Sequence, residues 1–468
     1  MSEYKKDIQD FLQKACSQIR YKSIHSNIIN ELTDHIEEQK SQYIKQGLNE
    51  EEAATKAVEQ MGDPVVVGKQ LDKAHRPRTE FSILSLVAIL VLMGGFVQFL
   101  ISGANENTGA FSRFLIYAPL GLAAFILTYF FDYTLLGRYP KTVYFILFAA
   151  VIVYSQFSGR ILGVYPHVYY YALLSIPVFA GIVYGYRNKG YMGIIACGIF
   201  YAGTALLCLL APRVTAFALL SVSCLIILTI AIAKGYFGVR KEIGIALVYI
   251  PTIITLIISI LFLCIQAPYR RERIAVMLNP ELDPMGSGYQ HLLVKRIIEA
   301  SKPFGEAVLG GKLSDMPSNH LLPGWNTDFS LTYIIGSLGY VAGLVIIAVI
   351  LALIVRMFIS VTKQKNSFGF LLSYAACIAI TAQFILYVIA NLGGITIFSS
   401  LTLPFISFGG SGFVVNMILA GLVLSVYRRT DIVIDRMQRN THTRRLFTFE
   451  DGKLIIDLGL NYSKKPVG

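Results

Sequence analysis

Charge is scarce in this chain. Of its 468 residues only 15% are charged and 54% are hydrophobic, and the mean hydropathy is +0.58. A soluble domain carries about 25% charge, so a single water-soluble globule is excluded. The six cysteines, Cys16, Cys197, Cys208, Cys224, Cys264 and Cys377, have no paired spacing, and most lie inside apolar runs. They read as small buried hydrophobes and not as disulfides or metal ligands. The chain has no Gly-x-x-x-x-Gly-Lys-Ser/Thr loop and no Cys/His ligand spacing, which argues against a bound nucleotide, ATPase chemistry and a zinc site. No signal-peptide pattern is present either, because residues 1–78 are polar and amphipathic.

What is present in quantity is apolar sequence in lengths near 20 residues, enough to cross a ~30 Å hydrocarbon core as a helix. Ten such runs lie near 81–101, 113–131, 142–157, 168–185, 191–210, 214–233, 243–265, 330–355, 368–392 and 408–427. They are apolar on all sides, so they read as helices and not as barrel strands. The fold class expected is therefore all-α, a polytopic membrane protein with about ten transmembrane helices. The net charge of +12 is carried largely by loops flanking these runs, which implies a membrane and not a nucleic acid as partner. Alternate loops differ in charge. One set holds Arg76, Arg78, Arg138, Lys141, Arg187, Lys189, Lys234, Arg240, Lys241, Arg356, Lys363, Lys365, Arg428 and Arg429. The short loops of the other set hold little beyond Arg113, Arg160 and Arg213. That bias predicts both termini on the cytoplasmic side.

Residues 1–78 predict a small soluble helical bundle. Ile24, Ile28, Ile29, Leu32, Ile36, Tyr43 and Ile44 recur at helical spacing up to Gly47. Asn49 with Glu52 forms a capping box for a second helix, Gly62 ends it, and Asp63-Pro64 opens a third running to about His75. His25 and His35 read as solvated surface residues. The Glu-Leu-x-x-His-Ile-Glu-Glu and Met-Gly-Asp-Pro stretches resemble the short helical prefix domain found ahead of some bacterial permeases and regulators. That resemblance implies a regulatory or protein-contact role. In the tail, residues 430–468, Asp451-Gly452 between two β-prone runs predicts a hairpin.

By this topology residues 266–328 form the one large extracytoplasmic loop. It contains a helical pattern in "GSGYQHLLVKRIIEASK" and concentrates positive charge: Arg270, Arg271, Arg273, Lys295, Arg296, Lys302 and Lys312. Arginine clusters suit phosphates and pyrophosphates through forked hydrogen bonds; a solvated loop accounts for the same composition. Asp283-Pro284 reads as a turn initiator. Pro404 and the glycines after it predict irregular backbone at membrane depth, which is tolerated when buried in protein or lining a cavity. Gln383, Asn391 and Asn416, polar residues inside apolar runs, predict interhelical hydrogen bonds.

Four strings occur in order: "RRERIAVMLNPELDPMGSGYQ" (Arg270 to Gln290), "LGGKLSDMP" (Leu309 to Pro317), "NTDFSLTYIIGSLGYVAGL" (Asn326 to Leu344) and "LTLPFISFGGSGFVVNMILAGLVLS" (Leu401 to Ser425). Together they resemble the SEDS family of bacterial shape, elongation, division and sporulation proteins, typified by RodA, FtsW and SpoVE. The likeness runs from about Tyr269 to Arg429. Before it the family's marks are replaced: its Gly-x-x-Arg-Trp and Gln-Pro-Ser-Glu region reads "SGRILGVYPHVYYY", keeping Arg160, and its Gln-Pro-Asp-Leu-Gly-Thr reads "APRVTA", with Arg213 where the acid stands. Asn326 replaces the family's histidine and Phe408 its tyrosine.

The resemblance implies a peptidoglycan glycosyltransferase of the bacterial cytoplasmic membrane that polymerises the lipid-linked disaccharide lipid II. It also implies a growing lipid-linked glycan as substrate and a class B penicillin-binding protein as partner. Asp328 matches the family's essential aspartate and is expected to act as general base or as a carboxylate for a divalent cation, Mg or Mn; a helix cap from Thr327 or Asp328 is the local alternative. Arg273 is expected as the main cationic partner and Lys312 as a second. Substrate contacts are also assigned to Asn326, Thr327, Tyr289, Gln290, Ser407, Gly409 and Gly410, although Asp283, Tyr289 and Gln290 read first as residues that shape the loop. Two other readings stay open: a flippase or transporter of a lipid-linked precursor, which mid-membrane charge would favour, and a non-catalytic scaffold.

Overall fold

The computed structural model describes residues 3–74, 76–103, 109–159, 165–211, 213–266, 272, 275–276, 279–308, 322, 324–325, 327–394, 401–406, 409–432, 447–450 and 453–456. The chain divides into two compact units, Met1–Thr79 with Arg428–Asp435, and Glu80–Tyr427 with Arg436–Gly468.

The first unit is built of short helices: α1 (Glu3–Ser17), α2 (His25–Lys45), α3 (Glu50–Gln60) and α4 (Pro64–Ala74). Their ends are set by local chemistry. The Asn49 side chain accepts a hydrogen bond from the Glu52 N–H at 2.8 Å, and three glutamates fill the first turn of α3, where they favour the helix dipole. Gly47 and Gly62 stop α2 and α3 with φ of 96° and 81°, and Pro64 starts α4. Ile24, Ile28, Leu32 and Ile36 stack on one side of α2 and its lead-in turn and are buried against Phe11, Leu12 and Ala15 of α1. Ile432 joins the same core, and Asp431 pairs with Arg78. His35 is exposed, whereas His25 is partly buried and bonds through its ring Nε2 to the Ile19 carbonyl at 3.0 Å. His25 thus closes the turn between α1 and α2 and is not the solvated residue expected.

The second unit contains α5 (Phe81–Gly103), α6 (Gly109–Phe130), the short α7 (Thr134–Arg138), α8 (Pro140–Phe157), α9 (His167–Gly185), α10 (Gly190–Leu210), α11 (Val214–Ala233), α12 (Lys241–Gln266), α13 (Tyr289–Ala300), α14 (Ser330–Leu338), α15 (Tyr340–Thr362), α16 (Ser367–Asn391) and α17 (Gly410–Arg428). Among the described residues nine helices are long and apolar enough to cross a membrane: α5, α6, α8, α9, α10, α11, α15, α16 and α17. The 26-residue α12, uncharged after Glu242, brings the set of long apolar helices to ten. α9 and α17 lie mostly inside the bundle, and α6 and α8 mostly face outward. α9 packs on α8, α10, α11 and α16. Five of the cysteines are buried and unpaired, as small hydrophobes; the side chain of Cys264 lies outside the described residues. Strands β1 (Phe447–Glu450) and β2 (Lys453–Ile456) pair antiparallel with Glu450 opposite Lys453, the register of a two-residue turn; Asp451 and Gly452 themselves lie outside the described residues.

The run expected as one span over 330–355 is two helices. It breaks at Gly339, with φ 98° and ψ 163°. A side chain there would collide with the Pro303 carbonyl and the Phe304 backbone, so only glycine suits both conformation and space. The chain passing the break satisfies both helix ends. Tyr340 and Val341 N–H donate to the carbonyls of Lys302 and Pro303 at 2.9 and 3.3 Å, while the N–H groups of Gly305 and Ala307 donate to Leu338 and Gly336 at 3.1 and 2.7 Å. The membrane span proper is therefore α15, and α14 is a separate two-turn helix.

Candidate active site

Short connections reverse the direction of successive spans. The starts of α9, α11, α14 and α17 and the end of α16 accordingly fall at one end of the bundle, and contacts among them gather around Asp328. The turn before α14 is folded about Gly324, φ 76°, whose carbonyl accepts from the N–H groups of Thr327 and Phe329, both at 3.0 Å. Phe329 is the N-cap residue of α14 and supplies no side-chain cap. Two of the open N–H groups are met from α16 instead: Leu331 N–H by the Tyr387 hydroxyl at 3.1 Å and Thr332 N–H by Asn391 Oδ1 at 3.1 Å. Asn391 also donates through Nδ2 to the Asp328 carbonyl at 2.9 Å, and Thr332 Oγ1 donates to Asn391 Oδ1 and to its carbonyl at 3.0 and 2.8 Å. Ser330 and Tyr387 share a hydroxyl–hydroxyl bond of 2.8 Å. All of Ser330, Thr332, Tyr387 and Asn391 are buried. A buried, satisfied network of this kind fixes one geometry, because each unpaired member would cost about 1–3 kcal/mol. It fixes the backbone of Asp328.

The other wall comes from the first half of the bundle. Asp328 lies within electrostatic reach of Tyr169 and Tyr170 of α9 and of Arg213 at the start of α11. Arg213 is only 5% exposed and donates from Nε to the Tyr165 carbonyl at 3.2 Å. Burial works against its charge, lowering its pKa, while Tyr170, Asp328 and Tyr169 work for it. His167, beside them, bonds Ser155 through Nε2 at 2.8 Å.

The third wall is the irregular segment 401–406, which is buried throughout. Phe405 has φ 67°. Gln383 of α16 donates to the Thr402 carbonyl and Oγ1 at 2.8 and 3.1 Å, and Gln98 of α5 donates to the Ile406 carbonyl at 3.0 Å. Side-chain amides thus replace the missing backbone partners at membrane depth. Asn416 differs from its expectation: it donates to the Gly412 carbonyl of its own helix at 2.9 Å.

Of the residues named from sequence, Asp328 and Thr327 stand in this turn, and Thr327 Oγ1 donates to the Gly324 carbonyl at 3.3 Å. A side chain at Gly409 would press on Thr402, 2.9 Å from its methyl and 3.6 Å from the Tyr170 hydroxyl; one at Gly410 would meet the Tyr117 ring. Both glycines therefore serve close packing of α17. Tyr289 is partly buried in a small cluster of Leu293, Val294, Ile297 and Leu322 with Trp325 and Phe329, and Gln290 is exposed. Asp283 closes the turn before α13, accepting from Ser287 N–H at 2.8 Å and Oγ at 3.1 Å. Arg273, Lys312, Asn326, Ser407, Arg160, Arg270, Arg271 and Phe408 lie outside the described residues. Sequence reasoning assigns none of Tyr169, Tyr170, Arg213 and Thr402 to the site. The available signal was Arg213 itself, a charge at a span boundary on the end where short loops have few.

Among the described residues no group of three or more His, Cys, Asp or Glu is placed to hold a metal.

Comparison with known proteins gives this arrangement a relationship. Residues 179–432 match the family model for the FtsW/RodA/SpoVE cell cycle proteins. The chain is 31% identical over 176 residues to the probable peptidoglycan glycosyltransferase FtsW of Idiomarina loihiensis, covering 37% of this chain and 42% of that one. It is 30% identical over 190 residues to the peptidoglycan glycosyltransferase MrdB of Escherichia coli, covering 40% and 48%. The match spans less than half the length of each of these curated relatives. In fold, it superposes on a chain from a peptidoglycan synthase complex that coordinates polymerization and crosslinking, with TM-score 0.61, 17% identity and coverage of 75% of this chain and 98% of that chain. A mutant of the Thermus thermophilus rod shape determining protein RodA aligns with TM-score 0.52, 14% identity and coverage of 75% and 98%. The matched region takes in just over half of the sequence, including Arg213, Asp328 and the 401–406 segment, and the chain belongs to the FtsW/RodA/SpoVE family of multi-pass membrane proteins.

Proposed function

We propose that this protein is a peptidoglycan glycosyltransferase that polymerises lipid II at the outer face of the bacterial cytoplasmic membrane. The observation that carries the reading is the family match over 179–432, which includes the Asp328 turn. Names of the relatives support the activity. The charge bias of the loops supports cytoplasmic termini, and with them an outward-facing Asp328 end. A class B penicillin-binding protein is the partner of this reading.

In the reaction a hydroxyl of one lipid-linked sugar attacks the anomeric carbon of another. The new C–O bond forms as the bond to the lipid pyrophosphate breaks, and the hydroxyl proton passes to a base. Asp328 is that base in this proposal, an effect worth ~10²–10⁴-fold. The network of Asn391, Tyr387 and Thr332 holds its backbone, so the carboxylate is presented without reorganisation. The basic loop residues, Arg273 and Lys312 among them, neutralise the leaving pyrophosphate. No step is assigned to a metal.

The test is incubation of the purified full chain with lipid II, with and without Mg or Mn, beside Asp328→Ala. Polymer from the native protein and its loss in the variant are expected. Equal polymer from both, or none from either, overturns the role of Asp328. Movement of precursor between leaflets without polymer turns the reading to transport.

A further inference from the structure

We propose that the end of the bundle away from the Asp328 turn carries a binding site for an anionic phospholipid. Lys141 and Lys189 hold its phosphate beside the ring of Tyr186, and the outward face of α8 and α10 receives its acyl chains. The site stands whether or not the chain polymerises lipid II.

The cations gather where α9 ends. Tyr186 is the C-cap residue of α9. Two ammonium groups stand against its ring, Lys141 Nζ at 4.8 Å from the centroid and Lys189 Nζ at 5.0 Å. They come from different elements, Lys141 from the first turn of α8 and Lys189 from the residue before α10. Both residues are exposed. Arg187 lies over the Tyr184 ring at 4.0 Å, and Arg138 over the Tyr139 ring at 5.3 Å. An aromatic face attracts a cation but leaves its charge in place. Among the described residues no ion pair joins any of these four cations to a carboxylate. The neighbouring connections hold two acids, Asp132 and Glu242. Asp132 closes the turn before α7, accepting from the N–H and Oγ1 of Thr134 at 3.0 and 2.8 Å. Glu242 lies in the first turn of α12, next to Arg240 and Lys241 in sequence. Two like charges on one ring lack a shared anion, and a phosphate supplies one through charge-assisted hydrogen bonds.

The backbone under these side chains is fixed. The start of α8 rests on α9 where glycine leaves room: a side chain at Gly181 would come within 3.0 Å of the Leu136 carbonyl and 3.2 Å of Pro140. The turn from α9 to α10 is tied to the turn from α11 to α12. Asn188 N–H donates to the Tyr236 carbonyl at 2.8 Å, and Gly190 N–H to the Phe237 carbonyl at 3.2 Å. Asn188, at φ 59°, takes the left-handed conformation that asparagine tolerates. Arg187 and Lys189 flank it in sequence and are set by that turn. A freely solvated basic loop accounts for the charge but not for this construction.

The surface beside the cations selects a lipid over a soluble anion. α8 and α10 both pack on α9. They meet through side chains: Phe145 and Phe200 have ring centroids 6.1 Å apart, and the Tyr144 hydroxyl donates to the Phe200 carbonyl at 3.0 Å. Phe200 also lies 6.2 Å from the Tyr186 ring. On the same two helices Phe145 is 59% and Ile199 68% exposed. The charged rim at Tyr186 thus runs into an outward-facing apolar surface on two membrane spans. Cations at the ends of spans attract anionic headgroups, and the apolar surface matches acyl chains, which a soluble phosphate lacks.

Thermal unfolding of the full chain in detergent, titrated with phosphatidylglycerol, tests the site. The lipid is expected to raise the melting temperature saturably, whereas phosphatidylcholine and inorganic phosphate at the same concentrations should not. Lys141→Gln/Lys189→Gln should raise the lipid concentration that gives half the effect by about 25-fold, roughly five-fold for each lysine. Lys141→Arg/Lys189→Arg keeps both charges and should bind as the native chain does. Arg240→Gln/Lys241→Gln removes the same charge from the same end of the bundle and should leave the titration nearly unchanged. Equal losses in the two glutamine pairs would mean a general attraction to the basic end and overturn the site. No rise with phosphatidylglycerol, or an equal rise with phosphatidylcholine, overturns it as well. An equal rise with inorganic phosphate overturns the lipid as occupant. If the double glutamine variant does not fold, Lys189→Gln alone carries the test: a loss of about five-fold supports the site, and no loss overturns it.

Discussion

Two helices of similar length end in different ways. α3 is bounded by its own neighbours in sequence: Asn49 caps its start and Gly62 follows its end. α14 has no side-chain cap of its own at its start. Its first N–H groups bond Asn391 and Tyr387, about sixty residues away, and its last carbonyls bond Gly305 and Ala307. Local caps make a helix that forms wherever its sequence goes. Remote caps make a helix that exists only when the surrounding bundle is assembled, and in one position. Asp328 precedes the second kind. A group that must meet a substrate at a fixed geometry gains from such non-local fixing, since a displacement of 1 Å can cost ~10²-fold in rate.

The comparison breaks most readily at Gly339. Gly339→Val places a branched side chain at φ 98° and against the Pro303 carbonyl. The expected loss is about 4 kcal/mol or more, read as a fall in folded yield and melting temperature of the full chain in detergent. A Gly339→Val protein that melts like the native one would mean that α14 and α15 can join without the break. Next in size is Asn391→Leu. It leaves the Thr332 N–H, the Thr332 hydroxyl and the Asp328 carbonyl short of their partner in a buried site, a loss of about 3 kcal/mol. Polymerisation should fall by at least ~10-fold in protein that still folds. Native-like activity with reduced stability would assign Asn391 to packing alone.

How far these features can be read from sequence follows the same division. Asn49, Glu52, Gly62 and Pro64 act within a few residues of one another, so the boundaries of α3 and α4 could be read directly, as could the Asp283 turn. The long apolar runs announced their helices because crossing a bilayer sets a minimum length. The break at Gly339 could not be read: it sits inside an unbroken apolar run, and its cause is the passage of residues 302–307, which no local pattern records. Asp328 was legible through family resemblance, whereas Tyr169, Tyr170 and Arg213, which bear on it electrostatically, lie more than a hundred residues away in sequence and come within its reach only through the fold. The basic loop shows the reverse limit: Arg273 and Lys312 were legible as chemistry, but their positions lie outside the described residues.

A smaller effect sharpens the local side. Asn49→Ala removes the acceptor for the Glu52 N–H and should cost about 1 kcal/mol. The loss should appear as faster amide exchange confined to α3 and its contacts, with lipid II polymerisation unchanged. If activity falls as well, the ends of α3 are not a local matter.

The smallest expected effect concerns Asp72, a carboxylate of the first unit that ties the turn after α1 to the end of α4. Its Oδ1 accepts from the Arg20 N–H at 3.0 Å, and its Oδ2 accepts from Arg76 Nε and Nη2, both at 3.3 Å. The Arg20 N–H first, and then Arg76, hold its pKa below the ordinary carboxylate range against the opposing effect of burial. A carboxyl with a lowered folded pKa contributes stability that is fully present above its unfolded pKa, about 3.9, and that is lost as the pH falls through the lowered value. The turn after α1 and the end of α4 should therefore keep their amide protection at neutral pH and lose part of it only below about pH 4. Asp72→Asn should remove that acid-dependent part while exposing the Arg20 N–H to faster exchange at every pH. Exchange in the full chain, corrected for its intrinsic pH dependence, separates the two. Equal acid sensitivity in native and Asp72→Asn protein would place the titration on other carboxylates and return this contact to the purely local class.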